Sequence, residues 1–493
     1  MFLLIRTPSK YQLMPFHSAH KADTGFLKRG AFISLALMLS ACSNLAPFRA
    51  VAIGSASTSQ TLCTAAFISK LDPVNAYRDE VRPAPGMGLI AWALRYSIDT
   101  DRKEVVTSIA GMATRRAVYR EGLGCLIDFG NVPNVTWIKP VSSTSSNDTA
   151  TDPFPSLAAK DIVTAKNTKI LAAIESAFAE PDQSNSNSAR RTQAVVIVHK
   201  GQLIAERYAH DIGIDTPLPG HSISKSVTHA LIGSLALHGK LDPAKPLAIP
   251  QWSAPGDPRA RINLNVLLSM SSGLPGDEYA GGWDESTRMW FAEPDPYSYS
   301  VSVAAANPVA AQWNYSNLGY TIASRMIRDA TGGGASDVLN YAHRELFVPL
   351  GIKTAVLNFD NTQTPSGANL FFASARDWAR FGLLYLADGK IAGKQVLPPN
   401  WVASARTSTL ETGYGRGFWL NNTSAPHPFA GHWGMPGAPK DAYFARGYLG
   451  QFIVIIPSLD LVVVRLGISY RRGGDIQTVG KMVSQIVEAL NGV

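Results

Sequence analysis

The stretch GHSISKSVTHALIGSLALHGKLD, from Gly220 to Asp242, predicts a buried helix with two polar residues at its start. Its apolar residues occupy most of the helix circumference, which is typical of a helix inside a protein core. Gly239 stands where a C-terminal cap belongs. Ser222 and Lys225 are three residues apart, so their side chains share one face of this helix.

The Ser222-x-x-Lys225 pattern has two interpretations. At a helix start, free N–H groups and the helix dipole favour negative charge, and burial can lower the pKa of an adjacent lysine. The pair would then be a nucleophile and its base. Alternatively, Ser222 is a helix N-cap and Lys225 is a solvated cation. The pattern alone does not decide, because it recurs at Ser18-Ala-His-Lys21.

A second motif, Tyr315-Ser316-Asn317, is the only Tyr-x-Asn in the chain. A phenol beside the Lys225 amine could relay the proton of Ser222 to a leaving group. The Asn317 amide could hold Lys225 and a substrate carbonyl in place. The alternative is an asparagine at a helix start beside a tyrosine of the core.

Composition and charge limit the partners to consider. The chain has 493 residues, of which 46% are apolar and 17% charged, as expected for a globular protein of two or three domains. Half of its net charge of +8 lies in residues 1–42, and the remainder contains no basic run. We therefore predict no nucleic-acid partner.

The N-terminus predicts export. LKRGAFISLALMLSAC, from Leu27 to Cys42, has a basic pair, a short apolar run and small residues before the cysteine. This is the layout of a secretory signal, and its end resembles the cleavage box of bacterial lipoproteins, in which the cysteine becomes lipidated. The apolar run is too short for a membrane span of about 20 residues. We expect a protein lipid-anchored through Cys42 on the periplasmic side of the cell envelope.

The two remaining cysteines, Cys63 and Cys125, predict one disulfide if the protein is exported, and two buried thiols if it is not. Neither has a second cysteine or a histidine nearby at metal-ligand spacing, so we predict no zinc site. The sequence implies no other metal and no cofactor.

Four segments follow from the pattern along the chain: a signal (1–42), a small N-terminal domain (43–140), a Ser/Thr/Asp/Pro-rich linker (141–158) and a main domain (159–493). The main domain opens with a predicted helix over 159–180 and a hairpin over 192–209 that turns at Lys200-Gly201. It closes with a second hairpin over 450–468 and an amphipathic helix over 475–493. We predict an α+β fold, in which an antiparallel sheet is built from both ends of the domain and helices are inserted between them.

Further stretches occur in a fixed order around the two motifs: LLSMSSGLPG (267–276), LFVPLGI (346–352) and ASARDWARFGLLYL (373–386). With them, residues from about 160 to 493 resemble the serine β-lactamase/penicillin-binding superfamily of class C type, and within it the esterases and 6-aminohexanoate-dimer hydrolases. The resemblance implies an antiparallel sheet flanked by helices with a helical subdomain. It also implies that Ser222 is the acylated nucleophile, Lys225 and Tyr315 the base and acid, and Asn317 an orienting amide.

The third motif of that superfamily, a Lys/His-Thr/Ser-Gly triplet before the last hairpin, has no good match in the segment Lys440–Gly447. Backbone N–H groups of any residue type can form an oxyanion hole, and we predict that Phe444 or Ala445 joins Ser222 in doing so. This departure concerns recognition of a β-lactam carboxylate. Arg446 is either a replacement for the missing cation or a solvated surface arginine, and His432 is a further candidate or a structural loop histidine. Four tryptophans near the motif loops could line an apolar acyl pocket: Trp283, Trp290, Trp313 and Trp433.

The predicted function is hydrolysis of an ester or amide through an acyl-enzyme. β-Lactamase or D-Ala-D-Ala peptidase activity is an alternative. An α/β-hydrolase is disfavoured because Gly220-His-Ser222-Ile-Ser224 lacks the final glycine of the nucleophile elbow. A non-catalytic, lipid-anchored envelope-binding module is the alternative outside enzymes.

Overall fold

The computed structural model describes residues 46–137, 152–180, 189–276, 282–421, 434–470 and 474–492. The predicted signal with Cys42, together with His432 and Trp433, lies outside these ranges. The chain divides into two compact units, Met1–Phe48 and Arg49–Val493, and the description below concerns the second. No helix of the described residues combines the length and hydropathy that crossing a bilayer requires.

The strands of the described residues, in chain order, are β1 (Leu94–Asp99), β2 (Glu104–Ile109), β3 (Met112–Arg120), β4 (Gly124–Ile127), β5 (Thr192–His199), β6 (Gln202–Tyr208), β7 (Leu218–Pro219), β8 (Val356–Leu357), β9 (Phe371–Ala373), β10 (Lys390–Ile391), β11 (Lys394–Gln395), β12 (Trp419–Leu420), β13 (Tyr443–Gly447), β14 (Gln451–Ile456) and β15 (Leu461–Gly467).

The α-helices are α1 (Ala46–Cys63), α2 (Pro73–Ala76), α3 (Thr168–Phe178), α4 (Ile223–Leu237), α5 (Leu264–Leu268), α6 (Glu285–Phe291), α7 (Pro296–Ser302), α8 (Asn317–Thr331), α9 (Ala335–Ala342), α10 (Val348–Leu350), α11 (Ala375–Leu386), α12 (Trp401–Arg406) and α13 (Gly474–Asn491).

A six-stranded antiparallel sheet forms the centre of the main domain, in the order β12-β13-β14-β15-β5-β6. The N-terminal hairpin β5–β6 and the C-terminal hairpin β14–β15 are adjacent in it, with Val463 opposite Ile197. Lys200 and Gly201 both have positive φ, which suits the tight turn between β5 and β6. The predicted α+β fold is confirmed.

Helices cover both faces of this sheet because its Val- and Ile-rich strands are buried on both sides. Helix α11 packs so closely on one face that a Cβ on Gly382 would lie 2.7 Å from Val462. Helices α3 and α13 pack together on the other face. The helix predicted from residue 159 begins only at Thr168, since the Asn167 side chain accepts from the N–H groups of Lys169 and Ile170 and caps it there.

The N-terminal part of this unit has its own four-stranded sheet, in the order β1-β2-β3-β4, with helix α1 against it. Its small apolar core contains Cys63 and Cys125, which form a disulfide with Cα atoms 6.1 Å apart. Phe372 of the main domain belongs to the same core, so the two parts share apolar packing.

The predicted linker over 141–158 lies outside the described residues up to 151, and its remainder is attached to the main domain at two points. The Asp152 carboxylate pairs with the buried Arg380 guanidinium at 2.5 Å, and Leu157 is buried in the main core. The composition of this segment is polar, but an ion pair and one apolar side chain are enough to attach its second half to the domain.

Candidate active site

Ser222 lies at the N-cap position of helix α4, which begins at Ile223. Its hydroxyl forms no capping hydrogen bond with the helix backbone. Instead, the Lys225 Nζ donates to Ser222 Oγ over 2.9 Å. The preceding residue, His221, has a φ of +46°, so the chain turns sharply just before the serine. Ser222 therefore occupies the N-cap position, as the alternative interpretation expects, but its side chain does not cap the helix.

Lys225 is 1% exposed and is held from several sides. Its Nζ also donates to the Ala368 carbonyl over 2.8 Å. The amine lies 4.8 Å from the ring centre of Tyr315 and 5.8 Å from that of Tyr320. A buried amine with one hydroxyl, one carbonyl and two aromatic faces around it is not the solvated cation of the alternative interpretation.

Tyr315 and Asn317 stand at the start of helix α8, which begins at Asn317. The Tyr315 ring stacks on Trp419 with centres 5.6 Å apart and planes 16° apart. The Asn317 amide is buried and donates to Ser286 Oγ over 2.9 Å. The structure thus brings Ser222, Lys225 and Tyr315 together, and it anchors the Asn317 amide on a neighbouring helix.

The ladder of strand β13 does not fit the prediction that Phe444 or Ala445 supplies the second oxyanion N–H. Asn421 N donates to Ala442 O, so the carbonyl of residue 442 points towards β12, and the backbone groups of successive residues alternate in direction from there along β13. The N–H of Phe444 therefore points to its partner Trp419 in β12, and that of Ala445 to Ile453 in β14. Strand β12 pairs with β13 at Tyr443 and Phe444, and no other strand of the described residues pairs with that edge of β13 at Arg446.

The side chains of β13 also alternate between the two faces of the sheet, and this alternation places Arg446 on the face away from the site. Tyr443 donates to Tyr385 O of helix α11, so residues 443, 445 and 447 face α11. Arg446 faces the opposite side of the sheet, where its guanidinium lies 5.8 Å from the Phe452 ring. Arg446 is therefore not placed to bind a substrate carboxylate beside Ser222.

Gly447 is the residue of β13 that meets the nucleophile loop. A Cβ built on it would lie 2.1 Å from Gly220 O. The next residue, Tyr448, packs its ring edge-on against His221 with centres 5.8 Å apart. Gly447 thus occupies the place expected for the glycine of the third motif, and Ala445 occupies the place of its cation.

The His221 imidazole beside the serine is held neutral. Withdrawal from water lowers the pKa of this ring to about 4, against the opposing effect of a hydrogen bond to Asn369. Its Nδ1 lies 3.3 Å from Asn369 Oδ1. At neutral pH His221 therefore contributes no charge next to Ser222.

The tryptophans predicted near the site have different surroundings. Trp313 is buried against Tyr315, Tyr414 and Trp419, with ring centres 5.6–6.2 Å away. Trp290 is half-buried, and Trp283 is 62% exposed. The aromatic surroundings of Tyr315 thus depend on Tyr414 and Trp419, which sequence reasoning missed because nothing in their local sequence distinguishes them from core residues.

The comparison with known proteins assigns the family. A family model described as Beta-lactamase matches residues 172–467, well over half of the chain. The chain belongs to the Beta-lactamase family. As a member, it is a serine hydrolase of the class that cleaves amide or ester bonds.

Individual members of the Beta-lactamase family are distant in sequence. The 6-aminohexanoate-dimer hydrolase of Paenarthrobacter ureafaciens is 22% identical over 305 residues, which cover 58% of this chain and 75% of that protein. A Bacillus anthracis structure assigned provisionally as a 6-aminohexanoate-dimer hydrolase has a TM-score of 0.52 at 21% identity, covering 62% of this chain and 81% of its own. The hydrolase EstCE1 has a TM-score of 0.51 at 14% identity, covering 64% of this chain and 99% of its own. The two structures share the fold.

Proposed function

We propose that this chain hydrolyses an ester or linear amide through an acyl-enzyme on Ser222. The observation that carries the proposal is the 2.9 Å contact between Lys225 Nζ and Ser222 Oγ, made by a serine whose hydroxyl is not used as a helix cap. A serine hydroxyl needs an adjacent base to attack a carbonyl at neutral pH, and this amine is in position to act as one.

In acylation, Ser222 Oγ attacks the carbonyl carbon of the substrate while its proton passes to the Lys225 amine, which acts as the base in its neutral form. The bond from the carbonyl carbon to the leaving oxygen or nitrogen then breaks, and that atom receives the proton through the Tyr315 phenol. In the second half, water attacks the acyl carbon and passes a proton to the same pair. The bond from the acyl carbon to Ser222 Oγ then breaks, Oγ receives that proton, and the acid is released. The hydrogen bond to Ala368 O supports this cycle because it fixes the direction of the Lys225 amine.

The oxyanion of each tetrahedral intermediate would rest on two backbone N–H groups. One is that of Ser222, in the first turn of α4, where no earlier carbonyl of the helix is available to it. For the other we propose Tyr448, because it follows Gly447, whose Cα packs on Gly220 O. Donors fixed before the reaction stabilise the developing charge without reorganising.

We assign Asn317 a positioning role. Its amide is buried and bound to Ser286 Oγ, which fixes the start of α8. Tyr315 lies two residues before that point, so the bond would hold its phenol near Lys225.

The substrate preference follows from Ala445. This residue stands on the α11-facing side of β13, where a cation would be needed to bind the carboxylate of a β-lactam, and Arg446 faces the other way. We therefore propose an acyl group without such a carboxylate. The name of the P. ureafaciens relative supports including the 6-aminohexanoate dimer among the candidates.

A substrate panel tests these assignments. It comprises p-nitrophenyl esters, the 6-aminohexanoate dimer, a D-Ala-D-Ala peptide and a chromogenic cephalosporin, each with Ser222→Ala and Lys225→Met as controls. We expect turnover of an ester or linear amide, lost in both variants, and fluorophosphonate labelling of wild type at Ser222 by mass spectrometry. Dominant cephalosporin turnover would overturn the substrate preference, and labelling elsewhere would overturn the nucleophile.

We also propose that the protein is exported and anchored by a lipid on Cys42. The basic pair, apolar run and small residues before Cys42 support this. Metabolic labelling with a radioactive fatty acid should mark wild type in a bacterial host and fail to mark Cys42→Ser. Equal labelling of both would contradict the assignment.

A further inference from the structure

Three apolar side chains at one end of the β1–β4 sheet are exposed: Leu89 is 81%, Trp92 78% and Met112 54% exposed. We name them the apolar tip. Single exposed apolar residues are ordinary, but an almost fully exposed tryptophan beside a leucine and a methionine is not.

The three residues lie at one end of the β1–β4 sheet. Met112 opposes Ile109 across the β2–β3 turn, and Ile109 opposes Leu94. Ala110 N donates to Ala93 O over 3.0 Å, which places Trp92 beside that turn. The Trp92 Nε1 donates to Leu89 O over 3.0 Å, so the indole lies back over the leucine segment.

Helix α1 reaches the same end of the sheet. A Cβ built on Gly54 would lie 2.9 Å from Ile90 Cδ1 and 3.8 Å from Ile109 Cδ1. The far end of the helix, at Cys63, is bonded to Cys125 near the opposite end of β3. The residues of this helix that follow Arg49 in sequence therefore run from the apolar tip to the disulfide at the other end of the sheet.

Charge is divided between the two ends of the sheet. Residues 81–98 and 105–115, which include the apolar tip, contain Arg82, Arg95 and Arg115 but no aspartate or glutamate. Arg82 and Arg95 are exposed among them. Acidic side chains lie at the other end, where Asp99 is opposite Glu104 in the strand register across the β1–β2 turn. The six residues of β2 separate the ends by about 17 Å.

We propose that the apolar tip docks on an anionic lipid bilayer. An exposed tryptophan and leucine suit the boundary between headgroups and acyl chains, and exposed arginines suit anionic headgroups. The acidic end would face away from the lipid. The proposal extends the envelope location proposed above, but it concerns side chains of the folded unit and needs no lipid on Cys42.

Vesicle binding tests the apolar tip directly. The protein is residues 43–493, which contain the whole compact unit Arg49–Val493 and exclude the apolar signal. Sedimentation with phosphatidylglycerol vesicles is compared for wild type and the double variant Leu89→Ser/Trp92→Ser. Ile162→Ser is the matched control, because Ile162 is also a large apolar residue, 54% exposed, but lies in the main domain.

We expect wild type and Ile162→Ser to bind these vesicles equally and the double variant to bind at least about tenfold more weakly. Binding to pure phosphatidylcholine should be weaker for all three, since the arginines then lose their partner. Equal binding by the double variant would overturn the proposal. So would a light-scattering result in which wild type is a dimer and the double variant a monomer, with no effect on vesicles, because the tip would then be a protein interface.

A second inference comes from the segment between Asn358 and Phe371, which lies between the small sheet and helix α4. On the α4 side, Ala368 O accepts from Lys225, and Phe371 N donates to Ser224 Oγ over 3.0 Å. On the other side, the Arg120 guanidinium of β3 donates to Phe359 O over 2.7 Å.

The Asn358 side chain joins the two sides. It is 1% exposed, and its Oδ1 accepts from the Cys125 N–H over 2.5 Å. Its Nδ2 donates to Leu370 O over 2.8 Å, two residues after Ala368. Gly124, at φ +74°, makes this approach possible, since a Cβ there would lie 1.7 Å from Asn358 Oδ1.

We infer that Asn358 is a positioning residue for Lys225, through which the N-terminal sheet supports the catalytic amine. Loss of the bond to Leu370 would release the Ala368 carbonyl, and the amine would lose its fixed direction. The inference rests on the proposed role of Lys225.

The test variants are Asn358→Asp, which keeps the acceptor for Cys125 but removes the donor to Leu370, and Asn358→Ser, which avoids a buried charge. Asn361→Asp is the matched control, because Asn361 Nδ2 also bonds the small sheet, at Ile127 O, from the same segment. We expect both Asn358 variants to lose about tenfold or more in kcat and in the rate of fluorophosphonate labelling of Ser222, with KM within twofold.

Full labelling rates in the folded Asn358 variants, or equal losses in Asn361→Asp, would overturn this role. Failure of wild type to label at Ser222 would instead overturn the proposed function, so the two failures are distinguishable.

Discussion

Replacing Gly447 with alanine tests the packing of β13 on the nucleophile loop. The new Cβ would lie 2.1 Å from Gly220 O and 3.1 Å from the Gly220 carbonyl carbon. Contacts between non-bonded heavy atoms are comfortable at about 3.5 Å, so the two backbones must separate by roughly 1 Å. Both clashing atoms on the loop side are backbone, and no rotamer change can relieve them.

The Gly220 side of this contact has little freedom to move. Its N–H donates to Phe371 O over 2.8 Å, and its own Cβ position is closed by the Trp378 ring at 2.6 Å. Gly447 and Tyr448 would therefore have to move, and the N–H of Tyr448 is the proposed oxyanion donor. A displacement of about 1 Å at a catalytic group costs on the order of 100-fold in rate, and overpacking costs about 1–3 kcal/mol of stability.

We expect Gly447→Ala to lower kcat/KM for a p-nitrophenyl ester about 100-fold and to slow fluorophosphonate labelling of Ser222 by a similar factor. Gly213→Ala is the matched control, because a Cβ there meets only Thr216 Oγ1 at an ordinary 3.5 Å. Thermal unfolding of both variants establishes that each is folded. A folded Gly447→Ala enzyme with kcat/KM within threefold of wild type would refute the assignment of this segment to the oxyanion hole.

Three further predictions concern stability. Burial lowers the pKa of His229 from 6.5 to about 3, so the unfolded chain binds a proton that the folded chain does not. Stability should therefore fall as pH falls below 6.5, by about 1.4 kcal/mol per pH unit from this group, and His229→Gln should flatten that slope in urea denaturation. The Cys63–Cys125 disulfide spans 62 residues, and the double alanine variant should lose about 4 kcal/mol of unfolding free energy; an unchanged urea midpoint would contradict this. The Arg376–Glu206 ion pair is 6% and 0% exposed, so Arg376→Met or Glu206→Gln alone should cost about 3–5 kcal/mol and the double variant less than their sum. Strict additivity in that cycle would argue against coupling.

Several features followed from local sequence because their causes are local. The alternation around Lys200-Gly201 predicted the hairpin β5–β6, and the spacing of Ser222 and Lys225 predicted their contact, since the i, i+3 relation is a property of any helix. The helix predicted over 159–180 was wrong at its start, because the Asn167 cap outweighs the helix-forming residues before it.

The second half of the site required long-range pairing. Phe444 and Ala445 were predicted for the oxyanion hole from their position in the sequence alone. The direction of each N–H in β13, however, depends on the register of this strand with β12 and β14. A shift of one residue in this register would exchange the N–H groups that face the edge of the sheet with those that bond to the neighbouring strand.

The amino-acid sequence alone determined the buried helix, the pair of groups at its start, the terminal hairpins and the family. Only the tertiary structure decided that Ala368 O holds the Lys225 amine, that Gly447 meets Gly220, and that Asn358 ties the small sheet to this site. The physical reason is that each of these contacts has a backbone group on at least one side. A carbonyl or N–H is present at every position of the chain, so its use is set by where the fold brings it and not by the identity of its residue.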